Sequence, residues 1–234
     1  MPRAFGYLVH AYTAAGVVCG WFAFVAVLQG RYRAALLLLI LATVIDATDG
    51  ALARLARVST TAPLIDGAHL DDIVDYVTYV FVPGVLVWHA GLLPPRWAEW
   101  VIALTLIASA CGFARRDAKT ADHFFTGFPS YWNVVAVYLL ALRLPQEANA
   151  AILVALALLV FVPIRYVYPS RTPVAMVPTI VLGTIWGVLM LIVVWELPDP
   201  PRWAVWGTMP FAVYYTVLSF WLTYTRTCAD KSDF

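Results

Sequence analysis

Long apolar segments recur along the whole chain and restrict what it can fold into. A helix needs roughly 20 apolar residues to cross the hydrocarbon core of a bilayer. We count eight candidate segments, at 6–29, 34–56, 70–93, 97–114, 130–143, 148–165, 174–195 and 203–223. Backbone polar groups in lipid must be satisfied within such a segment, so we predict an all-α polytopic membrane protein with about eight transmembrane helices.

The composition agrees with this fold class. Apolar residues make up 62% of the chain and charged residues 12%, and the mean hydropathy is +0.80. These values exclude an ordinary soluble domain of this length. Because no soluble domain or long linker interrupts the pattern, residues 1–234 are expected to form a single membrane domain. A net charge of +1 gives no electrostatic basis for a nucleic-acid partner.

The distribution of Lys and Arg predicts the orientation of the chain in the membrane. Eight spans place both termini on one side, and that side carries ten of the 15 basic residues. Loops rich in Lys and Arg stay in the cytoplasm. Both termini and the loop between the second and third segments are therefore expected to be cytoplasmic.

Carboxylates concentrate where the second apolar segment ends and the third begins. Of the 14 acidic residues, six lie between positions 46 and 75: Asp46, Asp49, Asp66, Asp71, Asp72 and Asp75. A carboxylate beside hydrocarbon is costly unless it is paired, hydrated or bound to a cation. This concentration therefore indicates a functional site.

Helical spacing arranges most of these residues on two stripes. Positions i, i+3, i+4, i+7 and i+8 form one face of a helix: Asp46, Asp49, Gly50, Ala53 and Arg54. Spacing by four forms a second stripe: Gly67, Asp71 and Asp75. Asp66 is expected to cap the third long helix, and Asp72 points about 100° away from Asp71, outside the site.

Two antiparallel helices joined by a short turn would bring four carboxylates together: Asp46, Asp49, Asp71 and Asp75. Like charges at close range do not all stay ionised without a cation between them. Ligands that are all oxygen suit Mg²⁺ or Mn²⁺ better than zinc. The alternative is two solvated helix ends, with Arg54 and Arg57 as counterions.

The two stripes together resemble the signature of the CDP-alcohol phosphotransferase family. The matching residues read Asp46-x-x-Asp49-Gly50-x-x-Ala53-Arg54, then Gly67-x-x-x-Asp71-x-x-x-Asp75. The spacer between them, residues 55–66, is longer than in most members and is similar to that of the bacterial phosphatidylcholine synthase branch. The resemblance extends to YLVHAYTAAG at 7–16 and DHFFTGFPSYWNVVAVYL at 122–139.

The resemblance implies a reaction, its partners and its cofactors. Members of the family transfer the phosphoryl-alcohol half of a CDP-linked alcohol to a second alcohol and release CMP. The branch implies CDP-diacylglycerol and choline as substrates, in the bacterial inner membrane, with the active site facing the cytoplasm. It also implies two Mn²⁺ or Mg²⁺ ions, and a homodimer is a possible assembly.

The resemblance also assigns roles to the motif residues. The metal ligands would be Asp46, Asp49, Asp71 and Asp75. Asp75 would also take the proton of the choline hydroxyl as the catalytic base. The CDP moiety would be bound by Asp49, Gly50, Ala53, Arg54 and Gly67. In that set, Gly50 and Ala53 would leave room for the nucleotide beside the helix.

The segment 115–133 holds the next group of polar and aromatic residues. Arg115, Arg116 and Lys119 are candidates either for a diphosphate or for contacts with anionic lipid. The aromatic residues there form either an interfacial belt or a cage for the choline cation: Phe124, Phe125, Phe128, Tyr131 and Trp132. As choline contacts we predict Tyr76, Tyr131 and Trp132.

Two alternative functions remain open from the sequence. With the same chemistry, the acceptor could be glycerol phosphate, serine or inositol phosphate. A phosphorylated acceptor would want several cations around its phosphate. From a different class, the chain could transport a cation along intramembrane aspartates. Transport predicts carboxylates near mid-membrane in several segments, whereas here they cluster at one end of two.

Overall fold

The computed structural model describes residues 3–115, 124–167 and 175–232. Within these ranges the chain is almost entirely helical. The helices are α1 Arg3–Leu28, α2 Tyr32–Ala56, α3 Val58–Thr61, α4 Gly67–Asp75, α5 Val82–His89, α6 Ala98–Ala114, α7 Trp132–Leu142, α8 Gln146–Leu159, α9 Met176–Trp195 and α10 Arg202–Ser232. A π-helical segment, Tyr76–Phe81, joins α4 to α5 without a break.

One pair of short strands departs from the predicted all-α class. Strand β1, Phe124–Thr126, pairs antiparallel with β2, Arg165–Val167. The pairing connects the chain before α7 to the chain after α8, and β2 also packs on α10. The architecture is otherwise that of an all-α membrane protein.

Each of the eight predicted apolar segments contains a helix, although α8 ends at Leu159, before Pro163 and before the predicted end at residue 165. In the described ranges, three helices are long and apolar enough to cross a bilayer: α1, α2 and α9. Helix α7 is shorter, because its 11 residues extend only about 16 Å at 1.5 Å per residue. That is about half of a hydrocarbon core. The helix positions are therefore confirmed, while the number of spans and the side of the termini stay predictions.

Close helix contact through glycine sets the position of α1. A Cβ on Gly16 would lie 2.6 Å from Cγ1 of Val74, and a Cβ on Gly20 would lie 2.9 Å from Cγ1 of Val77. Only a residue without a side chain fits at such distances. Since α1 also packs along α2, it contacts both helices that carry the aspartates.

The ends of the two aspartate-bearing helices are defined by local hydrogen bonds. Helix α2 stops at Arg57, whose φ of 50° is left-handed and whose amide donates to the carbonyls of Ala53 and Arg54. Helix α4 begins after Asp66, and one Asp66 oxygen accepts from the amides of Ala68 and His69. The predicted cap is confirmed. The predicted turn between these helices also contains the short helix α3.

The contact between Gly16 and Val74 generates a stability prediction. Gly16→Ala forces its methyl group into Val74, and overpacking of this kind costs about 1–3 kcal/mol. We expect a lower Tm in detergent, measured by thermal unfolding of the purified protein. Gly187→Ala in α9 is the control, because a Cβ there meets no atom within 4 Å.

A double-mutant cycle isolates the contact from general effects of the substitution. Val74→Ala removes the atom that Gly16→Ala would strike, so Gly16→Ala should lower Tm much less in the Val74→Ala background. An equal loss of Tm in both backgrounds would contradict this account of α1 packing.

Candidate active site

Three carboxylates from two helices meet beside α1. Asp46 and Asp49 lie on α2 and Asp71 lies on α4, and one oxygen from each falls within 4.8 Å of the other two. Asp49 is only 7% exposed, and the other two are half-buried. The predicted helical phasing is confirmed for these three residues. Asp75 is half-buried one turn further along α4, outside this group.

Two hydroxyl groups orient the carboxylates. Thr13 on α1 donates a hydrogen bond of 2.8 Å to Oδ2 of Asp49. Tyr79 donates one of 2.8 Å to Oδ2 of Asp46. The sequence predicts neither contact, because each depends on how separate helices are set against one another. The available signal was weak: a Thr and a Tyr within apolar segments that flank an acidic cluster.

The donor set of this group fits a divalent cation. Three carboxylates at such distances repel one another strongly unless positive charge offsets them. All the donors are oxygens, which is the preference of Mg²⁺ and Mn²⁺. The alternative of solvated helix ends does not account for the burial of Asp49.

The small residues that follow Asp49 leave space along α2. A Cβ on Gly50 would meet only Nη1 of Arg54, at 3.5 Å, and Ala53 is half-buried one turn after Asp49. The predicted clearance residues therefore lie next to the carboxylates. Gly67 differs, because a Cβ there would lie 2.9 Å from Cε1 of His10. The imidazole of His10 thus packs against the first residue of α4.

The three predicted choline contacts occupy different environments. The ring of Tyr131 lies 6.0 Å from that of Tyr79, whose hydroxyl contacts Asp46. Tyr76 donates to the carbonyl of Leu106. Trp132 is 4% exposed within the main hydrophobic core, and its indole nitrogen donates to the hydroxyl of Ser109. Of the three, Tyr131 is the one connected to the carboxylates through a described contact.

Part of the predicted polar segment is outside the described residues. Arg116 and Lys119 lie there, as do the side chains of Phe124 and Phe125. Arg115 is described and donates to the carbonyl of Val160.

A π-helical segment adjoins the site. It begins at Tyr76, directly after Asp75, and it contains Tyr79. π-Helical turns are rare and frequently occur at functional sites. Here the departure from α-helical geometry coincides with the residue that contacts Asp46. The sequence contains no clear signal for it.

The bond between Thr13 and Asp49 generates a prediction for metal binding. Thr13→Val keeps the shape of the side chain but removes the hydroxyl donor. Loss of such outer contacts weakens metal binding about 10–100-fold. The Mn²⁺ dissociation constant, measured by electron paramagnetic resonance on the purified protein, should rise by that factor. The control is Thr184→Val in α9, whose hydroxyl donates only to the carbonyl of Ile180. Unchanged Mn²⁺ binding in Thr13→Val would contradict the assignment.

Comparison with known proteins identifies the family. Residues 8–163 match the CDP-alcohol phosphatidyltransferase family. A phosphatidylcholine synthase of Legionella bozemanae is 39% identical over 212 residues, covering 88% of this chain and 98% of the relative. A phosphatidylcholine synthase of Legionella pneumophila is 36% identical, with 93% of this chain and 88% of the relative aligned. A phosphatidylcholine synthase of Borreliella burgdorferi is 31% identical, with 93% of this chain and 94% of the relative aligned. Because these matches cover most of the sequence, the chain belongs to the CDP-alcohol phosphatidyltransferase family.

Proposed function

We propose that this protein is a phosphatidylcholine synthase, which transfers the phosphatidyl group of CDP-diacylglycerol to choline and releases CMP. The observation that carries the proposal is the meeting of Asp46, Asp49 and Asp71 within residues 8–163, the part of the chain that matches the CDP-alcohol phosphatidyltransferase family. The relatives named phosphatidylcholine synthase align along nearly the whole chain, which supports choline as the acceptor.

The carboxylates are proposed to hold divalent ions. Asp46, Asp49 and Asp71 would be ligands, and Asp75 would complete the set when two Mn²⁺ or Mg²⁺ ions are bound. Bound there, the ions would neutralise charge on the phosphate oxygens and on the departing CMP. Thr13 and Tyr79 keep two of the carboxylates in a fixed orientation.

Asp75 is the proposed general base. It lies one turn beyond Asp71 on α4, and its carboxylate would accept the proton of the choline hydroxyl. The choline oxygen then forms a bond to the β-phosphorus of the donor. The bond from that phosphorus to the oxygen of CMP breaks, and CMP leaves with the electron pair.

The donor is proposed to lie along the α2 stripe. Gly50 and Ala53 leave room for the cytidine and its diphosphate beside Asp49, and the exposed guanidinium of Arg54 would contact a phosphate. Gly67, whose backbone adjoins the ring of His10, is also proposed as part of the donor-binding site.

Choline requires a different kind of recognition. Its trimethylammonium group carries a permanent charge and has no N–H donor, so aromatic ring faces must supply much of the attraction. We propose Tyr131 as the first contact, because its ring adjoins Tyr79 and hence the carboxylates. Tyr76 and Trp132 are proposed with it.

The proposed setting is the bacterial inner membrane. The whole chain, 1–234, would form one domain with about eight spans and both termini in the cytoplasm. The support is the ten-to-five division of Lys and Arg between the two sides. A cytoplasmic site is where a CDP-linked substrate is available.

A reaction with defined components tests the proposed function. Purified protein is incubated with CDP-diacylglycerol, Mn²⁺ or Mg²⁺ and one alcohol at a time: choline, serine, glycerol phosphate or inositol phosphate. We expect CMP and phosphatidylcholine only with choline and a divalent ion. Release of CMP with another alcohol but not with choline would show that the other alcohol is the acceptor. No CMP with any of them would refute the transferase.

Neighbouring aspartates on α4 provide a matched pair of variants. Asp71→Asn should reduce CMP release to the level seen without divalent ion, because the group loses one of its three close carboxylates. Asp72→Asn removes the same charge from the next residue, outside the group, and should keep nearly full activity. Equal Tm values would show that both variants are folded. Substantial activity in Asp71→Asn at limiting metal would show that Asp71 is not a metal ligand.

The choline assignment predicts a selective change in substrate dependence. Tyr131→Leu removes a ring worth about 0.5–2 kcal/mol, so KM for choline should rise roughly 2- to 30-fold. KM for CDP-diacylglycerol should not change. Tyr138→Leu on α7 is the control, since its hydroxyl accepts from Trp186, away from the carboxylates. If the Leu variants of Tyr131, Tyr76 and Trp132 all keep normal choline dependence, the cation is bound elsewhere.

A further inference from the structure

A buried histidine adjoins the site without a role in the reaction described so far. His10 on α1 is 4% exposed. Among the residues that the structure describes, none forms a hydrogen bond with its Nε2. A buried polar nitrogen without a partner is destabilising, so such groups are scarce and call for an explanation. A ligand that supplies the missing partner is one such explanation.

The surroundings of His10 place it next to the aspartates. Its ring packs on Gly67, which is one helical turn before Asp71 on α4. On α1, Thr13 follows three residues later on the same face and donates to Asp49. His10 is therefore about one turn from the carboxylate group along each of two helices.

The same register sets His10 at the level of the proposed donor-binding stripe. Helices α1 and α2 are antiparallel, with Thr13 opposite Asp49. Three residues earlier on α1, His10 is level with the turn of α2 that follows Asp49, where Gly50 and Ala53 lie. An imidazole there can donate its Nε2–H to an oxygen of a nucleotide.

We infer that His10 is a donor-binding residue, whose Nε2 forms a hydrogen bond to the nucleotide portion of the CDP-linked substrate. Gly67 contributes to donor binding indirectly, because its missing side chain leaves the space that the His10 ring fills. This inference rests on the proposed function, which supplies the class of ligand.

Binding of CDP to the purified protein, measured by isothermal titration calorimetry, tests the inference without turnover. In His10→Gln the side-chain amide nitrogen lies near the position of the histidine Nε2, whereas in His10→Asn it lies near the position of Nδ1. His10→Ala and His10→Asn should bind CDP about 10- to 100-fold more weakly, while His10→Gln should stay within a few-fold of the wild type. His69→Ala is the control, since His69 is exposed at the same end of α4.

Two further readouts separate ligand contact from packing. The choline KM of every active His10 variant should match that of the wild type. Gly67→Ala should weaken CDP binding when His10 is present but add little in the His10→Ala background. Unchanged CDP affinity in His10→Ala would overturn the inference. So would equal losses in the Ala and Gln variants with lowered Tm in both, which would leave His10 a packing residue only.

Measurements on the wild-type protein separate a failure of the proposed function from a failure of the inference about His10. If it neither binds CDP nor releases CMP, the proposed function fails. If it does both, and His10→Ala binds CDP equally well, only the inference about His10 fails.

Discussion

The fold has to hold Asp46, Asp49 and Asp71 together against their mutual electrostatic repulsion. Their closest oxygens lie within 4.8 Å of one another, at the junction of two apolar helices. The chain keeps them there by several means. Glycines let α1 pack closely on α4, Asp66 fixes the start of α4, and hydroxyl groups hold two of the carboxylates. In the proposed function, a divalent cation would supply the opposite charge that this arrangement requires.

The periodic features of the fold could be predicted from the sequence. The positions of the helices follow from the apolar runs, and the two aspartate stripes follow from a spacing of 3.6 residues per turn. The cap by Asp66 follows from residue type and place. Each of these depends only on neighbours within one segment, which is why a single sequence contains the information.

The features that join separate segments could not be predicted. The bonds from Thr13 to Asp49 and from Tyr79 to Asp46 arise from the setting of one helix against another. The π-helical segment after Asp75 and the pairing of β1 with β2 have no periodic signal. The contact between Gly67 and the ring of His10 could not be predicted either, because it joins α4 to α1.

The proposed function gives each substrate its own residues. The donor is proposed to bind along Gly50 and Ala53, and choline is proposed to bind beside Tyr131. Both substrates depend on the proposed metal site at Asp46, Asp49 and Asp71. Anomalous diffraction from a crystal soaked in Mn²⁺ tests it most directly. We expect a manganese peak bounded by the carboxylates of Asp46, Asp49 and Asp71. Manganese bound only elsewhere, with these three carboxylates ordered and no peak among them, would contradict it.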